Sequence, residues 1–241
     1  MTEAASLGTI LGVWAHPDDD IFLSAGIMAE AVRVGSRVVD VTATRGEGGS
    51  MDEERWPSAT MGQVRTAELL ASLEILGVTE HRFLEGPLDV DMDSHLDEAG
   101  AAQVRRIVEE VQPDTILTFG PDGMTGHQGH KDVCRWATEA FAAAAPPGAA
   151  LYYATQTPEF VDEVVPLVER FNIFRPGTPP VTPRAELGID FSATDEMLDR
   201  KLASLTAHES QIEGLLEVFG ADGLRRFIRD ESYRSAGRKG D

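Results

Sequence analysis

A histidine and three carboxylates stand within five residues near the start of the chain, in the run His16-Pro17-Asp18-Asp19-Asp20. Imidazole nitrogens and carboxylate oxygens are ligands that zinc and other divalent cations accept. One aspartate would be enough to cap a following helix, whereas three with an adjacent histidine exceed what capping needs. The run therefore predicts a metal site, with a solvated, helix-capping acidic turn as the alternative.

A second group of candidate ligands is the pair His127 and His130 in the polar segment 120–130. Two histidines at this spacing are weak evidence for a metal when they stand alone. Together with His16 and Asp19 they offer a His-Asp-His set, which is three protein ligands, and a hydrolytic zinc ion keeps its fourth position for water. Because the two groups of candidate ligands occur in one chain, we predict that the histidine pair also belongs to the metal site.

The local patterns place both groups after strands. Residues 9–15 are rich in β-branched and large apolar side chains, and apolar residues recur at helical spacing from Ile21 to Val34. His16 and the aspartates thus lie on a strand-to-helix turn, and the pair at 127 and 130 follows the fourth predicted strand. Because ligands bind beyond the carboxyl ends of strands in α/β sheets, we expect the two groups at one edge of the sheet.

Strand-like and helix-like patterns alternate through the first 144 residues. Strands are predicted at 9–15, 37–44, 81–84 and 115–119, and helices at 21–34 and 64–76, with an amphipathic helix before Pro113 and another after His130. Beyond Ala144 the patterns predict a strand at 152–153, a helix at 158–171, no clear structure at 176–183 and one long helix at 194–216. The alternation indicates an α/β fold with a mostly parallel sheet and helices on both faces, and no composition shift divides residues 1–241 into two domains.

Charge and cysteine content exclude several classes of protein. Asp and Glu outnumber Lys and Arg by 41 to 21, giving a net charge of −20, which disfavours nucleic acid and anionic membranes as partners. The single cysteine, Cys134, rules out an intrachain disulfide and a cysteine-rich zinc site. The N-terminus has neither a basic region nor a long apolar run, so we expect no membrane span and a cytoplasmic protein.

Five segments together resemble the LmbE/PIG-L family of zinc-dependent de-N-acetylases, in the family's order and at compatible spacing over most of the chain. They are residues 15–20 (Ala-His-Pro-Asp-Asp-Asp), 44–49 (Thr-Arg-Gly-Glu-Gly-Gly), 65–68 (Arg-Thr-Ala-Glu), 125–130 (Thr-Gly-His-Gln-Gly-His) and 201–211, which contains Lys201, His208 and Ser210. The resemblance implies a Rossmann-like fold, in agreement with the alternation of strands and helices.

The resemblance also implies roles for individual residues. It makes His16, Asp19 and His130 the zinc ligands, Asp18 the general base, His127 an acid or electrostatic stabiliser beside the metal, and Glu47 and Arg65 candidates for binding a sugar or polar headgroup. The implied partner is a small amide substrate, an amino sugar of the N-acetylglucosamine type. Two histidines and one carboxylate can also hold Fe²⁺, so the metal itself stays open.

Two positions depart from the family's usual pattern. Asp20 stands where the family usually has Glu, and Gly129 stands where it commonly has Asp. The second departure removes a carboxylate that could orient a neighbouring imidazole, and Asp122 or Asp132 is the candidate substitute.

Three alternatives to a de-N-acetylase of amino sugars stay open. They are an amidase for a thiol conjugate or antibiotic intermediate, a ligand-binding homologue without activity, and a Mg²⁺-dependent phosphoacceptor module. The last of these leaves the histidines unexplained. The oligomeric state is left open.

Overall fold

The computed structural model describes residues 4–240, which form one seven-stranded sheet with helices packed against it. The strands are β1 (Ile10–Trp14), β2 (Val38–Thr42), β3 (Glu80–Phe83), β4 (Thr115–Thr118), β5 (Ala150–Thr155), β6 (Ile189–Ser192) and β7 (Asp230–Arg238). Their order is β3-β2-β1-β4-β5-β7-β6; the first five strands are parallel, and β7 is antiparallel to both β5 and β6. The predicted α/β, Rossmann-like fold class is confirmed. A single domain over residues 1–241 stays a prediction, and residues 1–3 and 241 lie outside the described part.

The helices are α1 (Asp19–Arg33), α2 (Ser58–Leu76), α3 (Ala99–Val111), α4 (Gln128–Ala144), α5 (Pro158–Val168), α6 (Asp195–Thr206) and α7 (Glu209–Phe227). Short 3₁₀ turns occupy Ala4–Leu7, Glu169–Phe171 and Arg184–Glu186. Within residues 4–240, no helix combines the length and the apolar character needed to cross a bilayer.

The central strand β1 explains where a site can form. All five of its residues are buried, as expected for a strand covered on both faces. The chain continues to β2 and β3 on one side of β1 and to β4 and β5 on the other, so the strand order reverses beside β1. The crevice at the carboxyl ends of β1 and β4 is the position at which α/β sheets bind ligands. The β1–α1 turn and the β4–α4 loop meet there, as predicted.

Two helix predictions in the second half of the chain were wrong in extent. The single helix expected at 194–216 is two helices, α6 and α7, which are separated at Ala207 and His208, and α7 continues to Phe227. Apolar spacing runs through both helices, so the pattern does not reveal the break. The helix expected at 158–171 ends at Val168 and is followed by the 3₁₀ turn.

Helix α2 begins at Ser58, six residues before the predicted start at Val64. Its first turn carries one buried apolar residue, Met61, so the sequence there lacks a helical period. Strands β6 and β7 were not predicted, because β6 is short and the buried side chains of β7 are mainly polar. Glu231 and Ser232 are buried in β7 beside Tyr233.

Strand β7 is bonded to the middle of α1. The Glu231 carboxylate accepts hydrogen bonds from the backbone amides of Gly26 and Ile27 at 2.7 and 2.8 Å. Lys201 of α6, which is fully buried, donates to the same carboxylate at 2.6 Å. The Tyr233 hydroxyl donates to the Leu23 carbonyl at 3.0 Å. These contacts connect the C-terminal strand to the helix that begins at the predicted metal ligands.

Candidate metal centre and active site

The β1–α1 turn directs its two neighbouring carboxylates to different partners. Asp18 has a left-handed backbone conformation (φ 115°), which is strained for a residue with a side chain and is often found at functional sites. Its carbonyl accepts hydrogen bonds from the amides of Ile21 and Phe22, which begin α1. Asp19 Oδ2 accepts a hydrogen bond from the His16 amide at 2.7 Å. Asp19 is therefore held over the end of β1, and Asp18 points elsewhere.

Donor atoms of His16, Asp19 and His130 converge at one point. His16 Nδ1 lies 3.1 Å from His130 Nε2 and 3.4 Å from Asp19 Oδ2, and His130 Nε2 lies 3.4 Å from Asp19 Oδ1. Ligand atoms about 2.0 Å from a tetrahedral zinc ion are about 3.3 Å apart. All three residues are buried. The predicted ligand set is thus brought together at the spacing that one small divalent ion requires.

The second nitrogen of each imidazole faces an acceptor. His130 Nδ1 lies 2.9 Å from the Gly123 carbonyl and donates to it, so the lone pair of Nε2 is directed to the cluster. His16 Nε2 lies 3.5 Å from Asp89 Oδ1, which leaves Nδ1 as its ligand atom. Such partners fix the tautomer and the orientation of metal-binding histidines.

The two carboxylates predicted to replace the missing aspartate have other partners. Asp122 accepts from the Met124 amide, and Asp132 accepts from the Leu96 amide and contacts His95. A backbone carbonyl, that of Gly123, orients His130 instead. The departure at Gly129 therefore leaves the imidazole of His130 oriented.

The electrostatics of the cluster favour a positive charge between these residues. Burial alone would lower the pKa of His16, but its contacts with the Asp19 and Asp89 carboxylates, at 3.4 and 3.5 Å, together outweigh burial and raise the pKa to about 10. Burial lowers the pKa of His130 to about 4, with the positive charge of His16 acting in the same direction and Asp19 opposing it. A divalent ion would satisfy the same carboxylates that the proton on His16 satisfies here.

His127 lies beside the cluster with a different hydrogen-bonding pattern. It caps α4, and its Nδ1 accepts from the Gly129 amide at 3.1 Å, so the ring proton is on Nε2. The ring is stacked on that of His130 with centroids 5.0 Å apart, and donor atoms of His16, His127 and His130 all lie within 4.8 Å of one another. Burial and the neighbouring imidazoles lower the pKa of His127 to about 3. It is a neutral hydrogen-bond donor next to the cluster.

Asp18 is held by Arg65. Arg65 Nη2 donates to Asp18 Oδ2 at 3.0 Å and to the Pro17 carbonyl at 2.5 Å. A Cβ atom at Gly46 or Gly49 would overlap Arg65 Nη1, so these glycines leave the space through which the guanidinium reaches the turn. Burial raises the pKa of Asp18 to about 7, with Arg65 opposing the rise. A carboxylate with a pKa near neutrality is suited to accept a proton at physiological pH.

The two predicted substrate-binding residues differ in position. Arg65 lines the cavity above the cluster, although it is only 4% exposed and is bonded to Asp18. Glu47 does not line the described cavity, and its carboxylate accepts from the amides of Arg45 and Asp89 at 3.2 Å each. Asp89, which follows β3, was not predicted. The available signal was a carboxylate in a Gly-, Pro- and Asp-rich loop after a strand at the same edge of the sheet.

The fold and this site define an α/β protein with a buried candidate metal centre at the edge where its strand order reverses. Residues 11–141 match the model of the PIG-L family, which is described as GlcNAc-PI de-N-acetylase. The chain belongs to this family.

Relatives from several bacteria carry the description 1D-myo-inositol 2-acetamido-2-deoxy-alpha-D-glucopyranoside deacetylase. The protein of Streptomyces scabiei is 35% identical over 160 residues, which are 57% of this chain and 49% of that protein. The protein of Saccharomonospora viridis is 30% identical over 231 residues, 84% of this chain and 85% of its own length. The chain thus spans about half the length of the Streptomyces relatives it matches.

Solved structures share the fold at low sequence identity. The zinc-inhibited form of a teicoplanin deacetylase matches with a TM-score of 0.61 and 18% identity over 97% of this chain and 99% of its own. The 4-carboxy-2-hydroxymuconate hydratase of Pseudomonas putida matches with a TM-score of 0.63 and 19% identity over 97% and 98%. These likenesses establish the fold alone, and the second shows that proteins described by another reaction share it.

Proposed function

We propose that the protein is a metal-dependent de-N-acetylase, which hydrolyses the acetamide of an amino-sugar substrate of the N-acetylglucosamine type. The observation that carries the proposal is the convergence of His16 Nδ1, Asp19 and His130 Nε2 at 3.1–3.4 Å. The carboxylate of Asp18, which is not part of this set, lies in the same turn and is bonded to Arg65. Family membership and the descriptions of the relatives support the reaction and the class of substrate. An antibiotic intermediate or a thiol conjugate is the alternative substrate for the same chemistry.

His16, Asp19 and His130 would hold the ion, and zinc is the metal we assign, with Fe²⁺ as the alternative for the same donors. When bound, the ion supplies Lewis acidity and lowers the pKa of its water from ~15.7 to roughly 7. The donor atoms fit such an ion, and the two imidazoles already have acceptors at their outer nitrogens.

The chain's own residues would carry the proton transfers. Asp18, held by Arg65, accepts a proton from the attacking water. The water oxygen bonds to the acyl carbon, the amide C–N bond breaks, and the carboxyl proton of Asp18 passes to the leaving amine. His127 lines the cavity beside the cluster, and its Nε2–H group would stabilise the substrate oxygen as negative charge develops on it. The contacts of Glu47 favour a role in positioning Asp89 over direct substrate binding.

Metal content and amine release test the proposal together. Purified protein should hold about one divalent ion per chain, and His16→Ala, Asp19→Ala and His130→Ala should each lose it, because one of three ligands is removed. His95→Ala is the matched control, since this histidine side chain is 73% exposed and lies outside the cluster. Apoprotein reloaded with Zn²⁺ or, without oxygen, Fe²⁺ should release amine from an N-acetylglucosaminide. Full metal content in all three cluster variants would exclude the site.

A further inference from the structure

The cavity above the cluster has an aromatic far side that the proposed chemistry does not use. Six phenylalanines line the cavity, and one of them, Phe119, is stacked on His130 of the cluster. We call the other five the phenylalanine wall: Phe22 of α1, Phe160 of α5, Phe171 and Phe174 after α5, and Phe227 at the end of α7. All five are only partly buried. They come from separate segments of the chain, and three of them lie between residues 145 and 193, for which the sequence offered no role.

The wall is continuous with the metal cluster. Phe22 is three residues beyond Asp19 on α1, and its ring lies 5.7 Å from that of Phe227, which in turn lies 5.6 Å from that of Phe160. The same cavity is lined by His16, His127 and the rest of the cluster and has a volume of about 520 Å³. Ligand pockets typically have volumes of roughly 300–1,000 Å³ and bury most of the surface of a drug-sized molecule. They are lined mainly by apolar and aromatic side chains with a few convergent polar groups, as this cavity is.

The charges in the cavity oppose an anionic ligand. Five aspartates line it, namely Asp18, Asp19, Asp89, Asp91 and Asp230. Among the residues between 4 and 240 that line the cavity, Arg65 is the one Lys or Arg, and its guanidinium is bonded to Asp18. A phosphate placed against the wall would be desolvated in a cavity lined by these carboxylates, with no Lys or Arg free to pair with it.

We propose that the substrate of this site is an uncharged amide that carries an alkyl or aryl group, and that this group packs against the phenylalanine wall while the amide reaches Asp18 and His127. This inference rests on the proposed function. The expected substrate differs from a purely polar inositol glycoside, which has no apolar group, and from a compound with a phosphate-bearing headgroup, which is charged. The apolar group is attached either as the acyl chain or as the aglycone, and the two sources are separate arms of the test.

The first arm lengthens the acyl chain of N-acyl-glucosamine from acetyl to hexanoyl, and the second lengthens the aglycone of an N-acetylglucosaminide from methyl to hexyl. Each buried methylene contributes up to ≈ 0.8 kcal/mol, so kcat/KM should rise about 10-fold or more along one series. N-acetylglucosamine 1-phosphate should be a poorer substrate than the methyl glycoside. Turnover that is independent of chain length in both series would overturn the inference and leave the proposed function in place.

A matched pair of variants on α5 locates the effect. Phe160→Ala should reduce the hexyl-to-methyl or hexanoyl-to-acetyl ratio of kcat/KM by roughly 10-fold, because the truncation removes aromatic surface against which the apolar group is buried. Leu167→Ala is the control, because Leu167 lies on the same helix, is 55% exposed and does not line the cavity. Phe174→Ala repeats the test should Phe160→Ala not fold, as judged by circular dichroism. An equal ratio in wild type and a folded wall variant would contradict the assignment.

A binding measurement separates this inference from the proposed function. Calorimetry with hexyl β-glucoside and methyl β-glucoside, which have no amide, should show tighter binding of the hexyl compound to the metal-loaded protein and loss of that preference in Phe160→Ala. Tighter binding of the hexyl compound without amine release from any amide would support the inference about the phenylalanine wall and contradict the proposed de-N-acetylase function. Equal affinity for the two glucosides would contradict the inference that the phenylalanine wall binds an apolar group, whatever the activity of the enzyme.

Discussion

Asp18 and Asp19 are neighbours in sequence with different environments. Asp18 is bonded to Arg65 and has a pKa raised by burial to about 7, whereas Asp19 faces two imidazoles and has a pKa held below its ordinary range despite burial. Asp18 has a left-handed backbone conformation, and its side chain and that of Asp19 have different partners. Two carboxylates of one type can therefore have two functions.

Asp18→Asn should keep near-normal metal content and lower kcat by on the order of 10²–10⁴, the usual contribution of a general base. Asp19→Asn should lose the metal, because the amide removes a charged ligand. Steady-state kinetics and metal analysis on the same preparations check both. The acidic limb of the wild-type pH–rate profile reports Asp18 and the ionisable groups coupled to it jointly. Full turnover by metal-loaded Asp18→Asn would transfer the role of base to another group, with His127 next.

His208 predicts how stability depends on pH. It is fully buried between α6 and α7, and neither ring nitrogen has a hydrogen-bond partner among the described residues. Burial, together with the charge of Arg65, lowers its pKa from 6.5 to about 3. As pH falls below 6.5, the unfolded chain binds a proton that the folded chain excludes, so this histidine reduces stability at acid pH.

His208→Leu cannot bind that proton. As the pH falls from 6.5 to 5, its stability relative to wild type should increase by about 1.6 kcal/mol in total, with a slope that approaches about 1.4 kcal/mol per pH unit. Urea unfolding of the metal-loaded proteins at pH 8, 6.5, 5.5 and 5 measures the difference, in which the effects of the other titrating groups cancel. A difference that does not change with pH would show that His208 is protonated or solvated in the folded state.

The sequence indicated the candidate ligands, whose metal binding stays a prediction, more clearly than the groups that orient them. His16, Asp19 and His130 have side-chain types that indicate metal binding, and their placement after strands brings them together. Gly123 supports the site through its backbone carbonyl, which no side chain reveals. Asp89 was hidden because its loop follows β3, whose own side chains are only partly buried and form a weak strand pattern.

At the scale of elements, the parallel half of the sheet followed from alternating patterns, and the C-terminal part did not. The apolar spacing of α3 and the buried run of β1 are local signals. Strand β7 is stabilised by buried polar groups instead, so its partners must be known before it can be recognised. The Lys201–Glu231 pair is the clearest case, since both side chains are 0% exposed and both are charged residue types that indicate a surface.

Lys201→Met should destabilise the protein by about 3–5 kcal/mol, because it leaves the Glu231 carboxylate buried without its cation. Arg37→Met is the matched control: Arg37 pairs with Glu80, and both side chains are 42% exposed. Loss of such a surface pair should cost at most about 1 kcal/mol. Denaturant unfolding of both variants gives the comparison. Equal losses would mean that the buried pair contributes no more than a surface pair.

At the scale of the whole molecule, the charge of −20 determines which partners are attracted. Mobility-shift assays at physiological salt should show no binding of duplex DNA, because both surfaces carry the same sign of charge. Lowering the salt should not produce binding either, since reduced screening strengthens the repulsion. A clear shift at physiological salt would contradict this prediction.

The position of β7 has a consequence for synthesis on the ribosome. Strand β5 pairs with β7, which is about eighty residues further along the chain, and β6 pairs with β7 alone. During translation, β5 therefore remains an unpaired edge of a half-finished sheet until the last strand has left the exit tunnel. Such edges are templates for association with other chains. Pairing with β7 thus covers the β5 edge and protects the chain from aggregation. Chains that are released from the ribosome before β7 has been synthesised would be expected to accumulate as oligomers or be degraded.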